Sequence, residues 1–309
     1  MSSRAIPRVV VLKGGISLEK EISLLSGACC AAALRETDKY EVIELVADYS
    51  VANQLQILSP DVVFNSLLGR WGEDGCLQGI LEWLKIPYTH SGVLASSVCM
   101  NKEKTKSAYD LACLPCPSSI SNPKELILSK NLLENTYVIK PTNEGSSLGI
   151  QFVTKGSNFP FSLDEDIPEN FMVEEFIPGR DLTVTVLGSA KHAKALMVTD
   201  IVTEGWYDYD SKYTTGGSIH ILPAKIPARI NELCLKYAET AHRELGCRGI
   251  SRTDFRWDHT QGEDGIYLLE TNNQPGMTPT SLSPEQALYC NISLSELCSQ
   301  LVEDASCDR

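Results

Sequence analysis

The sequence predicts an α/β protein whose first part is a parallel sheet covered by helices and whose remainder has a mixed α+β organisation. Three observations support this fold class. Apolar runs typical of buried strands alternate with helical segments up to about residue 98. Beyond that point several short strands follow one another, and a long helical segment, residues 227–246, precedes a final strand pair. The chain has 309 residues, enough for two or three domains, which we place at 1–98, 99–185 and 186–309.

The first part begins with a strand, a turn and a helix. The run "RVVVL" from Arg8 is a buried strand, Gly14-Gly15 breaks it, and "SLEKEISLLSGACCAAALRE" has apolar residues at helical spacing. Two more strands, "YEVIELVAD" and "PDVVFNSL", and the helical segment "GCLQGILEWLKI" complete the alternation. Ligands are therefore expected at the carboxyl ends of these strands.

The second part begins with the helix in "NKEKTKSAYDLACLPCP" and continues with the short strands "TYVIKP", "GIQFV", "FMVEEFI" and "DLTVTVLG". We expect all four strands in one small α+β domain. The third part begins with the strand "AKALMVTDIV", passes through the aromatic stretch "WYDYDSKYTTGG" and enters the long helix. This stretch ends in two glycines, as expected of a lid that closes over a site.

Charge and composition exclude several classes of function. The formal net charge is −13, which disfavours nucleic acid and anionic membranes as partners. No run of 18 apolar residues occurs, and the apolar run at the N-terminus is too short for a signal peptide, so we expect a cytoplasmic protein without membrane contact. The 11 cysteines lack a disulfide framework, and the single "CLPC" lacks a second pair for zinc.

Two strand-forming runs near the C-terminus, Gly249 to Trp257 and Gly265 to Asn272, flank a polar turn and predict a hairpin. Residues two apart in a strand share a face, so Arg252 lies beside Asp254, and Glu270 beside Asn272. If the two faces coincide, three oxygen ligands and one guanidinium converge. Mg²⁺ prefers such oxygen ligands and takes the rest from phosphates and water, whereas the alternative is a solvated hairpin with ordinary surface charges.

The stretch "YVIKPTNEGSSLGI", residues 137–150, places Lys140 at the end of a strand and small residues at a turn. The usual phosphate loop, GxxxxGK[ST], is absent from the chain. Glycine allows the backbone N–H groups of such a turn to approach a polyphosphate closely, while the lysine ammonium meets an oxygen. A plain hairpin is the alternative, and the downstream carboxylate hairpin favours the phosphate site.

Taken together, the motifs resemble those of the D-alanine–D-alanine ligases, a family of the ATP-grasp superfamily. The resemblance covers almost the whole chain, in order, through "GGISLEKEISLLSG", "GRWGEDGCLQG", "PYTHSG", "NKEKTK", "KPTNEGSSLG", "EEFIPGRDLTV", "YDYDSKY", "SRTDF" and "LLETNNQPGMTPTSL". It implies a three-domain ATP-grasp fold with a Rossmann-like N-terminal domain. It also implies that ATP drives the joining of two D-alanines through an acyl phosphate, for peptidoglycan precursor synthesis, in a homodimer.

The resemblance further implies a role for each of a set of residues. ATP would be bound by Lys102, Lys140, Ser146, Ser147, Glu174, Glu175, Phe176, Ile177, Asp181 and Lys212. In this set, Lys102 and Lys140 would hold phosphates, Glu174 and the backbone of Glu175 to Ile177 would bind adenine, and Asp181 would bind ribose. Two Mg²⁺ ions, replaceable by Mn²⁺, would be bound by Asp254, Glu270 and Asn272. Glu19 would receive the first D-alanine beside Ser146 and Tyr213, Arg252 and the Gly276 N–H would form an oxyanion site, and Ser281 and Leu282 would bind the second D-alanine.

Three positions depart from the pattern of the family. Leu68 replaces a histidine near the first D-alanine and cannot donate a hydrogen bond or transfer a proton. Asp181 replaces a glutamate that contacts ribose, and Asn101 replaces an aspartate before Lys102. Because no metal ligand or phosphate cation is lost, we expect an active enzyme.

Three other functions are alternatives to this one. An ester-forming ligase that uses D-lactate differs only in its acceptor, and the "SKY" of the predicted lid favours the dipeptide-forming members. A nucleotide-binding protein without turnover is suggested only by Leu68. A dinucleotide oxidoreductase requires GxGxxG after the first strand, which is absent.

Overall fold

The computed structural model describes residues 6–121, 136–143, 145, 149–154, 170–189, 191–203 and 217–307. The α/β prediction is confirmed. Over these ranges no helix has both the length and the apolar character needed to cross a bilayer.

The N-terminal part is a parallel three-stranded sheet with the order β2-β1-β3, as predicted. Its strands are β1 Arg8–Gly14, β2 Glu41–Ala47 and β3 Val62–Asn65, and its helices are α1 Lys20–Arg35, α2 Val51–Leu58, α3 Cys76–Leu84 and α4 Val93–Met100. The side chains of Val9 to Leu12 are fully buried because helices cover both faces of β1. Gly14 ends the strand with a φ of 80°, a left-handed conformation that favours glycine.

A four-stranded antiparallel sheet follows, with the order β4-β7-β5-β6. Helix α5 spans Lys102–Leu111, and the strands are β4 Ser119–Ser121, β5 Tyr137–Pro141, β6 Gln151–Val153 and β7 Phe171–Glu175. The N–H of Lys102 donates to Thr142 O at 2.9 Å, which joins the start of α5 to the end of β5. The two predicted lysines therefore lie at neighbouring positions in the fold.

The third part is a five-stranded antiparallel sheet with the order β10-β9-β8-β11-β12. Its strands are β8 Arg180–Gly188, β9 Lys194–Val202, β10 Ile219–Ile221, β11 Gly249–Trp257 and β12 Ile266–Asn272, and its helices are α6 Ala228–Glu244, α7 Leu282–Tyr289 and α8 Leu294–Glu303. A 3₁₀ segment, His259–Gly265, connects β11 to β12, so the second hairpin strand begins one residue later than predicted.

The predicted boundary at residues 185 and 186 is wrong in one respect, because it cuts through β8. This strand pairs with β9 and β11 and belongs to the five-stranded sheet, not to the sheet that contains β7. The strand "DLTVTVLG" is apolar at alternate positions in either arrangement, so its sequence pattern does not distinguish the two sheets. The crossover between the sheets is the short segment from Phe176 to Gly179.

The two faces of the five-stranded sheet differ in character. One face carries Leu182, Val184, Phe255 and Leu268, which are buried against the apolar side of α6. On strand β11 the alternate residues, Arg252 among them, therefore lie on the opposite face. Helix α7 packs on that second face, where its residues bond to polar groups of β8 and β9. The sheet thus separates a hydrophobic core from a polar face, on which the predicted site residues of β11 and β12 lie.

Candidate active site

The hairpin of β11 and β12 brings the predicted metal ligands together. Arg252 is paired in register with Asn272, and Asp254 with Glu270, so the four side chains share the polar face. A β-bulge follows immediately after Asp254, where the extra residue of β12 turns the strand. The spacing argument therefore gave the correct geometry for this group.

The carboxylate of Asp254 is held by several donors. The Nε and Nη2 atoms of Arg252 donate to its two oxygens, each at 2.8 Å. The Thr183 hydroxyl donates to Oδ1 at 2.6 Å, and the Asn272 amide donates to Oδ2 at 3.2 Å. A metal ion bound here would compete with Arg252 for both oxygens, and we expect the guanidinium to move when the ion binds.

The donor set nevertheless fits a hard divalent cation. Asp254, Glu270 and Asn272 supply two carboxylates and one amide, all of them groups with oxygen donors. Within the described ranges, no three or more histidine, cysteine or acidic side chains are arranged to hold a metal ion by themselves. Mg²⁺ usually binds through one or two carboxylates and completes its shell with phosphate and water, so the two carboxylates and the amide are a sufficient donor set for it.

Two predicted phosphate-binding lysines are buried and face carboxylates. The Nζ atom of Lys102 lies 3.8 Å from Glu270 Oε2, next to the hairpin. The Nζ atom of Lys140 donates to Glu174 Oε1 at 2.5 Å, and Lys106 Nζ lies 2.7 Å from the other oxygen. The Glu174 carboxylate is thus fixed between two ammonium groups. An adenine base that contacts Glu174, as predicted, would have to do so while both lysines stay bound to it.

Glu19 lies in a narrow pocket at the start of α1. A Cβ atom added to Gly69 would lie 2.4 Å from Glu19 Oε2, and one added to Gly145 would lie 3.1 Å from the same oxygen. Gly145, which follows β5, therefore lies close to the carboxylate predicted to receive the first substrate. Burial, with the negative charges of Glu19 and Glu270, raises the pKa of Glu73 well above its usual range, which shows that carboxylates crowd this pocket.

The predicted nucleotide-base residues lie at the end of β7 and in the crossover. Glu175 is exposed, Phe176 is partly buried, and Ile177 is buried. The predicted ribose residue, Asp181, accepts a hydrogen bond at 2.6 Å from Arg256, a residue of β11. These residues lie together at the junction of the two antiparallel sheets.

The predicted acceptor loop precedes α7. The hydroxyl of Ser281 accepts the N–H of Thr278 at 3.1 Å and lies 2.7 Å from the Thr278 hydroxyl. A Cβ on Gly276 would lie 3.3 Å from the same hydroxyl, so the predicted oxyanion residue contacts the predicted acceptor residue. Leu282, the first residue of α7, is buried. The helix N-terminus suits a carboxylate.

Comparisons with known proteins agree with this geometry. The family model "D-ala D-ala ligase C-terminus" matches residues 121–303. D-alanine–D-alanine ligases of Ruegeria pomeroyi and Dinoroseobacter shibae are each 57% identical over 309 residues, covering 100% of this chain and 99% of each relative. The chain belongs to the D-alanine–D-alanine ligase family. The ATP-bound ligase of Bacillus anthracis has a TM-score of 0.77 at 25% identity over 96% of this chain and 97% of that one.

The ATP-grasp fold predicted for this family member is therefore confirmed. A second solved structure, the VanG D-Ala:D-Ser ligase of Enterococcus faecalis, has a TM-score of 0.78 at 27% identity and covers 96% of this chain and 99% of its own. Four predicted site residues, Ser146, Ser147, Lys212 and Tyr213, lie outside the described residues. Most of the predicted lid also lies outside them.

Two of the departures from the ligase pattern have a structural counterpart. Asn101 accepts the N–H of Lys104 at 3.0 Å and caps the N-terminus of α5, a role in which asparagine and aspartate are equivalent. Leu68 is buried directly before Gly69, the residue that contacts Glu19. An aliphatic residue therefore directly precedes a glycine that borders the carboxylate predicted to receive the first substrate.

Three residues of the site were not predicted individually. Lys106 holds Glu174, Glu73 lies close enough to Glu19 for the charge of Glu19 to raise the pKa of Glu73, and Arg256 binds Asp181. Lys106 and Glu73 lie within the quoted motifs "NKEKTK" and "GRWGEDG", so the signal was present. Arg256 lies two residues after Asp254 on the same face of β11, and the alternation argument could have been extended to it.

Proposed function

We propose that this chain joins two D-alanine molecules to D-alanyl-D-alanine and converts ATP to ADP and phosphate. The observation that carries the proposal is the proximity of three groups: the carboxylate hairpin, Lys102, and the pocket of Glu19 and Glu73. The carboxylate hairpin lies against Lys102, and the pocket of Glu19 and Glu73 is electrostatically coupled to Glu270 and Arg252. A triphosphate held by the lysines and an amino acid held by Glu19 would therefore meet at the hairpin.

The first step would be attack by the carboxylate oxygen of one D-alanine on the γ-phosphorus of ATP. The bond between that phosphorus and the ADP oxygen breaks, and an acyl phosphate and ADP result. Glu19 would bind the substrate ammonium, while Lys102 and Lys140 would neutralise charge that develops on the phosphoryl oxygens. Such preorganised cations accelerate phosphoryl transfer because they stabilise charge without reorganisation.

Asp254, Glu270 and Asn272 would hold Mg²⁺, and the family resemblance implies two ions that Mn²⁺ could replace. When bound, Mg²⁺ supplies positive charge to the triphosphate and orients it. Arg252 would leave the Asp254 carboxylate and bind the developing oxyanion instead. Its guanidinium is placed for this, because it lies on the same face as the metal ligands and is 2.8 Å from the two Asp254 oxygens.

In the second step, the amine nitrogen of the other D-alanine would attack the acyl carbon. A C–N bond forms, the C–O bond to phosphate breaks, and the proton lost by the amine passes to the released phosphate. Ser281 and the start of α7 at Leu282 would bind the carboxylate of this acceptor, and the N–H of Gly276 would stabilise the tetrahedral oxyanion together with Arg252.

Phosphate release by the purified protein tests the proposal. With ATP and Mg²⁺, release should require D-alanine and should not occur with L-alanine. D-lactate added beside a low concentration of D-alanine tests the ester-forming alternative, which predicts an ester product. ATP binding without D-alanine-dependent release would contradict the proposal and favour a nucleotide-binding protein without turnover.

The proposal includes a role in peptidoglycan precursor synthesis, a homodimer and a bacterial cytoplasmic location, all of which the family resemblance implies. Sedimentation of the purified protein at micromolar concentration tests the dimer, and the expected species has twice the 34.0 kDa mass of the chain.

A further inference from the structure

The crossover between the two antiparallel sheets packs closely against the backbone at the end of β11. Gly179 has a φ of 108°, and a Cβ at this position would lie 2.1 Å from the carbonyl oxygen of Trp257. Only glycine fits such a close approach of two backbones. The crossover therefore cannot shift along β11 without losing this contact, and the residues just before Gly179 occupy a defined place.

Arg256 contacts two residues of the crossover, Phe176 and Ile177, and one residue of β8, Asp181. Its Nε donates to the carbonyl oxygen of Ile177 at 3.0 Å, and its Nη1 donates to Asp181 Oδ2 at 2.6 Å. The guanidinium carbon also lies 5.4 Å from the centre of the Phe176 ring, within the range of a cation–π contact. The side chain is only 14% exposed, so these contacts are made in a largely desolvated place.

These contacts fix the peptide bond between Phe176 and Ile177. The peptide before it is held because the N–H of Phe176 donates to Thr136 O at 3.2 Å. The peptide after it is held by Arg256 through the Ile177 carbonyl. The N–H of Ile177 itself donates to no group in the described part of the chain, although the residue is only 6% exposed. A donor without a partner in a buried segment is expected to bind a ligand acceptor.

We propose that Arg256 is a positioning residue that aims the Ile177 N–H at the nucleotide base and so determines the preference for adenine. This inference rests on the proposed function, in which ATP is the phosphoryl donor, and on the expectation from the family resemblance that Phe176 and Ile177 bind its base. Adenine presents an acceptor at N1, whereas guanine carries an N1–H donor at the same place. A fixed N–H therefore bonds with adenine and opposes guanine, and an unsatisfied buried donor makes the wrong base costly.

Loss of Arg256 removes the restraint on the Ile177 carbonyl. The segment can then rotate and present a carbonyl oxygen, which accepts the N1–H of guanine. The expected effect is a change in preference rather than a uniform loss of binding. A residue that only stabilises the fold would weaken both nucleotides alike.

The test compares Mg-ADP and Mg-GDP binding by titration calorimetry, without D-alanine. In Arg256→Met the ADP dissociation constant should rise about tenfold while that of GDP stays level or falls, since one hydrogen bond to the correct base is worth about that factor. Arg229→Met is the matched control, because Arg229 also pairs with carboxylates but lies exposed on α6. It should bind both nucleotides as the wild type does.

A second variant distinguishes the effect of Ile177 on the base from the effect of an unpaired Asp181 carboxylate. In Arg256→Met/Asp181→Asn no unpaired carboxylate remains, so the altered preference should persist if Ile177 is responsible. Recovery of the wild-type preference in the double variant, or an equal loss of ADP and GDP in the single variant, would overturn the inference. Failure of the wild type to bind either nucleotide would instead contradict the proposed function.

Discussion

Replacing Glu174 by glutamine tests the buried charge cluster beside the predicted nucleotide site. The carboxylate lies between Lys140 and Lys106, and the three side chains are 3%, 7% and 6% exposed. The variant leaves two buried ammonium groups without a counterion. Breaking a buried ion pair by removing one partner costs about 3–5 kcal/mol, and the smaller value applies because the amide oxygen of glutamine can still accept one hydrogen bond.

The assay is urea unfolding, with the free energy of unfolding as the readout. Glu175→Gln is the control, because Glu175 is the next residue of β7, exposed on the other face, and should change stability by less than about 0.5 kcal/mol. Adding Lys106→Met to Glu174→Gln removes one uncompensated charge and should restore about 1 kcal/mol or more. Equal stability of the Glu174 and Glu175 variants would refute the reasoning.

Three further predictions concern other residues. Leu68→His should keep or raise D-alanine-dependent phosphate release, because it adds a hydrogen-bonding group beside Glu19 and removes none. A fall in phosphate release of more than about tenfold would show that the pocket is organised differently. Burial lowers the pKa of His242 from 6.5 to about 4. The unfolded chain therefore binds a proton over a pH range in which the folded chain does not, and stability should fall by about 3 kcal/mol as the pH drops from about 6.5 to about 4. In His242→Gln this fall should be smaller in urea unfolding across pH, whereas exposed His259→Gln should match the wild type. Asn101→Ala should cost about 1 kcal/mol because α5 loses its cap, and Asn101→Asp should be neutral; an unchanged alanine variant would contradict the capping role.

Local patterns predicted much of the fold because they reflect local physics. The alternation of apolar strands and helices gave the parallel sheet, and residue spacing within β11 and β12 gave the shared face of Asp254 and Glu270. Both depend on the period of side chains in regular structure, which the sequence contains directly. The roles of individual residues came instead from the resemblance to the ligase family and stay predictions.

Contacts between distant segments were not predictable in this way. Strand β8 has the same alternation whichever sheet it joins, so its place depended on packing against β9 and β11. The engagement of Asp254 by Arg252 and of Glu174 by Lys106 depends on side-chain positions that no spacing rule specifies. For Arg256, the bond to Ile177 spans 79 residues of sequence.

A crystal structure with Mg²⁺ and a non-hydrolysable ATP analogue tests the central claim most directly, because it shows whether the polar face of the hairpin binds the metal and the triphosphate. Oxygens of Asp254, Glu270 and Asn272 should lie about 2.0–2.1 Å from Mg²⁺, with Arg252 displaced from Asp254 and the ammonium groups of Lys102 and Lys140 against phosphate oxygens. A triphosphate bound elsewhere, with Arg252 still holding both oxygens of Asp254, would contradict the account.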